Sequence, residues 1–175
     1  MINKLVFPIK SKSILTQGFG MTKFASDGNY GGAIHNGIDL AGFPSGTPIS
    51  PVADGVIIAT GFSYWGWGHW LMIRHNNGLH SFYGHLFSKT GKKVNERVDP
   101  FGIIGKTGDS GASTGPHLHL SLFRANPGVS PVGPIDYSEL ALDPLGHLSL
   151  PTTCNTILAD LDPARGYKHC MTYLS

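Results

Sequence analysis

Five short β-prone runs, each closed off by turn residues, limit what this chain can fold into. "GVIIATG" (55–61), "HWLMIRH" (69–75), "LHSFYGHL" (79–86), "FGIIGKTG" (101–108) and "HLHLSLFR" (117–124) are rich in branched and aromatic residues, with Gly, Asn, Asp or Pro between them. That is the pattern of strands joined by turns. Helical periodicity is nearly absent, apart from one turn over "NTILADL" (155–161). Charged residues make up only 14% of the chain, against a usual share of about 25%. The 24 glycines are roughly double the average usage. These features predict an all-β fold, mainly antiparallel sheet with long loops. The 175 residues make one domain with a sizeable core, plus an appendage. Composition shifts after "ALDPLGHL" (141–148), so the expected division is a domain over 1–148 and an extension over 149–175.

Two strands can be oriented from their patterns. Asn77-Gly78 is a strong two-residue hairpin signal. With those residues as the loop, 75 faces 80 and 70 faces 85. Leu71, Ile73, Phe82 and Leu86 then share an apolar face, while Trp70, Met72, Arg74, Ser81, Tyr83 and His85 share the other. In "HLHLSLF", His117, His119 and Ser121 alternate with Leu118, Leu120 and Leu122. The leucines belong to the core and the two histidines sit about 6.6 Å apart on the other face.

Several function classes are excluded or left without support. A net charge of +2, with no basic and aromatic cluster, gives no nucleic-acid footprint. The apolar run between Lys4 and Lys10 is five residues long, short of the roughly 7–15 of a secretory signal, and nothing approaches the ~20 of a membrane span. The chain therefore either leaves the cytosol by another route or is a mature or excised piece. Cys154 and Cys170 are either free thiols or a bridge, which would be worth roughly 3 kcal/mol in the chain-entropy model.

A third feature joins the two histidine-bearing strands. In "HNGIDL", His35 and Asp39 would lie about 13 Å apart on a fully extended strand, so the chain should bend between them, which Asn36-Gly37 permits. Imidazole and carboxylate together suit Zn²⁺, and three protein ligands with an open fourth position mark a catalytic site. His69, His75, His80, His147 and His169 are not drawn to any common point by the sequence. A cupin-like His-x-His site would want a carboxylate soon after His119, and "LSLFRANPG" has none.

At "HNGIDL", "YGHL" and "STGPHLHL" the chain resembles the lysostaphin-like zinc metallopeptidases of family M23. The surroundings agree: "GTPISPVADGVIIATG", "GKTGDSGASTGPHLH" and "ALDPLGHL" look like the family's connecting segments, so the resemblance covers roughly residues 5 to 148. It implies the lysostaphin-like, duplicated-hybrid-motif fold. It also implies a zinc-dependent endopeptidase that cuts peptide bonds of bacterial peptidoglycan at the cell wall, such as a phage lysin. Carried over by motif, His35, Asp39 and His119 would bind Zn²⁺, while His85 and His117 would form the catalytic pair. "GNYGG" around Tyr30 and Asp99-Pro100 depart from the family pattern. A substrate groove is expected between the loops carrying Trp65, Trp67 and Trp70 and the Gly-rich loop 105–116. The rival reading is a catalytically silent binding or virion module of the same fold. Such domains normally lose ligands, and all five positions are filled here.

Overall fold

The runs of branched and aromatic residues become strands in the computed structural model, which describes residues 5–23, 25, 27, 34–130, 133–134, 139–150 and 170–171. In chain order these are β1 (Ser13–Gln17), β2 (Gly37–Ala41), β3 (Pro48–Ile49), β4 (Gly55–Ser63), β5 (Gly68–His75), β6 (His80–Leu86) and β7 (Arg97–Val98). They are followed by β8 (Gly105–Lys106), β9 (Leu118–Phe123), β10 (Val129–Ser130), β11 (Gly133–Pro134), β12 (Ala141–Leu142) and β13 (Cys170–Met171). The main sheet runs β13-β1-β2-β9-β6-β5-β4-β7, with β12 also on β9. Its pairings are all antiparallel, as the alternating patterns predict. Tyr30, Cys154 and the helical turn expected over 155–161 lie outside the described residues.

The β5–β6 hairpin departs from its expected register by one residue. The amide of Gly78 donates to the His75 carbonyl at 3.1 Å, and that of His75 donates to Leu79 at 2.8 Å. Gly78 has φ +86, so Asn76, Asn77 and Gly78 form a three-residue loop closed by a left-handed glycine. Arg74 therefore pairs with His80 and Leu71 with Tyr83. One residue of slip exchanges faces: Phe82 joins Trp70 and Met72, while Ser81 and Tyr83 join Leu71 and Ile73.

The expected strand over 101–108 is also shorter in fact. Its regular strand is only Gly105–Lys106, paired with β3. Asp99 Oδ1 accepts the amides of Phe101 (2.8 Å) and Gly102 (3.1 Å), an Asx turn that diverts the chain and leaves Phe101 and Ile103 exposed.

The sheet carries an apolar layer on each face. Leu15, Ile38, Leu40, Leu71, Ile73, Leu118, Leu120 and Leu122 join the larger cluster, beside Phe7, Ile49 and Leu148. Each such side chain stabilises the fold by roughly 1.5–3 kcal/mol when fully buried. A smaller cluster of Ala59, Trp70, Met72, Phe82 and Phe123 covers part of the opposite face. The leucines of β9 thus enter the core as their alternation requires, leaving His119 on the other side of the strand.

Candidate metal centre

Three side chains from the centre of the sheet converge beside the smaller cluster. β2 and β9 are neighbours, with Asp39 opposite His119. His35 precedes β2, in a bridge to Gly20, and the regular strand begins only at Gly37 after a break at Asn36. Gly37 lies between the two ligand candidates of "HNGIDL" and leaves their shared face empty. A Cβ there would collide with the Leu120 carbonyl oxygen and stand 2.9 Å from His119 Nε2. The imidazole of His119 fills that space.

The resulting triangle is nearly regular. His35 Nε2 is 3.1 Å from His119 Nδ1 and 3.3 Å from Asp39 Oδ1, and His119 Nδ1 is 2.9 Å from the same oxygen. Ligands about 2.0–2.1 Å from a tetrahedral zinc ion stand about 3.3 Å from one another, close to the observed spacing. Among the described residues this is the one cluster of three metal-ligating side chains.

The hydrogen bonds behind the triangle aim its lone pairs inward. His35 Nδ1 donates to the Gly18 carbonyl at 2.7 Å, so Nε2 carries a lone pair. Ser121 Oγ donates to Asn36 Oδ1 at 3.4 Å, so it receives the proton of His119 Nε2 at 2.7 Å, and the Nδ1 of His119 is unprotonated. Burial holds the pKa of His119 down to about 3, against the pull of Asp39, so neutral pH supplies no second proton. Asp39, a carboxylic acid ionised at neutral pH, adds the third acceptor. Three acceptors facing one point without a donor repel one another unless a cation lies between them. The donor set fits zinc, and the polar groups behind each imidazole are those that orient metal-binding histidines.

Two further histidines border the triangle. His117 lies on the same face of its strand as His119. Its Nδ1 donates to the Gly115 carbonyl at 2.8 Å, and its Nε2 is 4.0 Å from Asp39 Oδ1. His85 faces it with ring centroids 4.5 Å apart, and its Nδ1 donates to the Ser110 carbonyl at 2.8 Å. Burial, helped by His117, lowers the His85 pKa, so its Nε2 is an unprotonated acceptor at neutral pH.

His85 reaches this face through a bulge. Leu71 pairs with Tyr83 but His69 pairs with Leu86, so one residue of β5 stands opposite both Gly84 and His85. The extra residue reverses the alternation, which lets Leu86 join Tyr83 in the larger core and brings His85 round to His117. Its φ is +56, a left-handed conformation that costs a non-glycine residue of order 1–3 kcal/mol. Beyond Gly84 the segment 107–117 enters between β6 and β9, through bridges of Leu86 to Thr107 and Gly108 to His117.

The three tryptophans separate. Trp70 is a core residue, 2% exposed, and Trp65 is 88% exposed. Trp67 covers the site: its ring is 4.4 Å from His119 and 5.3 Å from Phe82, and Gly133 is closed against its indole. The three tryptophans therefore do not form one common surface, and of them Trp67 alone lies against the triangle. The remaining described histidines stay apart from the triangle. His75 is held by the Asp54 carbonyl and Ser81, His147 by the Asp143 carbonyl, and His69 packs on Phe62. His80 is buried opposite Arg74 at the start of β6.

All five predicted site residues thus come together. Sequence reasoning missed the space left by Gly37, the cover supplied by Trp67 and the supports given by Ser121 and Ser110. Only Ser121, two residues beyond His119, carried a signal in the alternation.

A sequence profile described as Peptidase family M23 matches residues 33–131, which include all five. The chain is 42% identical over 102 residues to the DD-carboxypeptidase/endopeptidase Mpg of Neisseria meningitidis, covering 58% of this chain and 22% of that protein. It is 40% identical over 90 residues to lysostaphin of Staphylococcus staphylolyticus, covering 51% of this chain and 18% of the relative. The chain thus spans about a fifth of the length of these relatives. Among solved structures, the catalytic domain of lysostaphin from Staphylococcus simulans superposes with a TM-score of 0.58 at 28% identity, covering 78% of this chain and 90% of that one.

Proposed function

Since the chain belongs to peptidase family M23, we propose that it is a zinc-dependent endopeptidase hydrolysing peptide bonds in the stem peptides or cross-bridges of bacterial peptidoglycan. The observation that carries this reading is the triangle of inward-facing acceptors on His35, Asp39 and His119, bordered by two further imidazoles. The relatives' names, an endopeptidase and lysostaphin, support the same reaction class.

His35, Asp39 and His119 would hold the ion, which supplies Lewis acidity toward a scissile carbonyl and makes a water acidic near neutral pH. His85 Nε2 accepts the proton released when water attacks. His117, whose Nδ1 is committed to the Gly115 carbonyl, donates from Nε2 to the oxygen that gains charge once that nitrogen also carries a proton, and one of the pair returns a proton to the departing amine. Trp67 keeps bulk water off the His119 ring. The reading assigns residues 1–148 to the peptidase unit, with 149–175 as an extension, and places its action at the cell wall, as in a phage lysin. A silent binding module would need none of the five side chains aimed at one point.

The test is to measure metal content and peptidoglycan turbidity on one purified sample, with and without a chelator. One zinc per chain and chelator-sensitive clearing are expected. Absence of stoichiometric metal would overturn the reading.

A further inference from the structure

We propose that Ser110 is a positioning residue for His85, clamping the 108–112 loop against the ends of β5 and β6 so that its own carbonyl fixes that imidazole. The inference rests on the proton-transfer role given to His85 above. The Ser110 hydroxyl donates to the Leu86 carbonyl at 2.6 Å and accepts the His69 amide at 2.9 Å. His69 and Leu86 are opposite one another in the β5–β6 pairing, so one side chain ties the loop to both strands where the bulge ends. Both partners are remote in sequence, 24 and 41 residues away, which sets this apart from local turn chemistry.

The backbone of the loop is seated as closely as backbones allow. Gly68 has φ +60, and a Cβ on it would strike the Ser110 carbonyl and hydroxyl oxygens. One on Gly111 would strike Gly66 and Gly68, and the Ala112 amide donates to the Gly66 carbonyl at 2.8 Å. His85 is then held at two points. Its amide donates to the Trp67 carbonyl at 2.7 Å, and its Nδ1 donates to Ser110 at 2.8 Å. The second bond places the proton on Nδ1 and leaves Nε2 as the acceptor. Without the hydroxyl clamp the carbonyl is free to withdraw, and the ring loses both its tautomer and its aim.

The test compares Ser110→Ala, His85→Ala and the double variant, as holoproteins, on purified peptidoglycan fragments. Ser110→Ala should retain one zinc per chain and a KM within about twofold. Its kcat should fall roughly 10²-fold, the cost of a misplaced catalytic group. In the His85→Ala background the same change should have no further effect, because residues acting as a unit are not additive. Losses that multiply in the double variant, or an unchanged kcat, would overturn the inference. If His85→Ala itself leaves turnover intact, the role of His85 fails, and the inference with it. Nitrogen NMR of the unmutated zinc protein gives a second readout that needs no variant to fold: the Nδ1-protonated tautomer of His85 is expected, and the Nε2-protonated one would overturn the clamp.

Discussion

Replacing Gly37 by Ala should damage the metal site more than the fold. The added Cβ would stand 2.8 Å from the Leu120 carbonyl carbon and 2.9 Å from His119 Nε2, where ordinary carbon contacts need about 3.5–4.0 Å. Strands β2 and β9 must therefore separate locally by about 1 Å, or His119 must rotate out. Either movement opens the edges of a triangle whose ligands tolerate only about 0.2 Å. Zinc affinity should fall by at least about 10²-fold, at the upper end for disturbed supporting shells. At a zinc concentration near 100 times the original dissociation constant, that removes most of about 2.7 kcal/mol of ligand stabilisation. Overpacking alone should cost about 1–3 kcal/mol in the metal-free protein. Competition against a chromophoric chelator gives the affinity, and thermal melts with and without zinc separate the two contributions. A variant that binds zinc as tightly as the parent would refute the argument that the missing side chain makes room for His119.

Other outcomes follow from the same geometry. His35→Ala and Asp39→Ala should each lose stoichiometric zinc together with wall clearing; retention of one tightly bound ion in either, by metal analysis, would remove that residue from the ligand set. His85→Ala should keep its zinc and lose turnover by about 10²–10⁴-fold, which single-turnover rates on a metal-analysed sample would check. His75, buried and bonded to Ser81 and the Asp54 carbonyl, has its pKa lowered below 6.5 by burial. The unfolded chain takes up that proton first, so the stability contributed is complete above pH 6.5 and is lost as pH falls below it, by at most about 1.4 kcal/mol per pH unit. Denaturant melts of the metal-free protein at pH 7 and pH 5 should show this slope reduced in His75→Gln, and an equal slope in both proteins would contradict it.

The legible part of the site was the part with a local period. Alternation in "HLHLSLF" placed His117 and His119 opposite the leucines, and the structure keeps them there. His85 was assigned to the site side by parity with Tyr83, and that ground was mistaken. Tyr83 is in the core, and His85 leaves it through a bulge and a left-handed backbone that no residue type in "FYGHL" announces. The register error has a similar source, because Asn77-Gly78 fits both a two-residue turn and the second half of a three-residue one. Nothing local could show that Gly37 yields its space to a ring 82 positions later in the chain, or that Ser110 bonds two strand ends. Those are tertiary contacts between segments that meet only in the finished sheet. The tryptophans show the same limit, since Trp65 falls in the exposed turn between β4 and β5 while Trp70, five residues on, is inside β5 and packs in the smaller cluster.

The order of strands in the sheet also sets a schedule. β9 lies between β2 and β6, although it follows both in the chain. A growing polypeptide can pair β1 with β2 and build β4-β5-β6 from short-range contacts, but these two halves share no edge until β9 arrives to join them. Of the three residues of the triangle, His35 and Asp39 belong to the first half and His119 to the joining strand, 80 residues beyond Asp39. A nascent chain therefore lacks a complete ion site until the long-range closure has been made. An ion held there would be taken up by a finished sheet and would then pin its central seam, so metal binding and completed assembly would arrive in the same step.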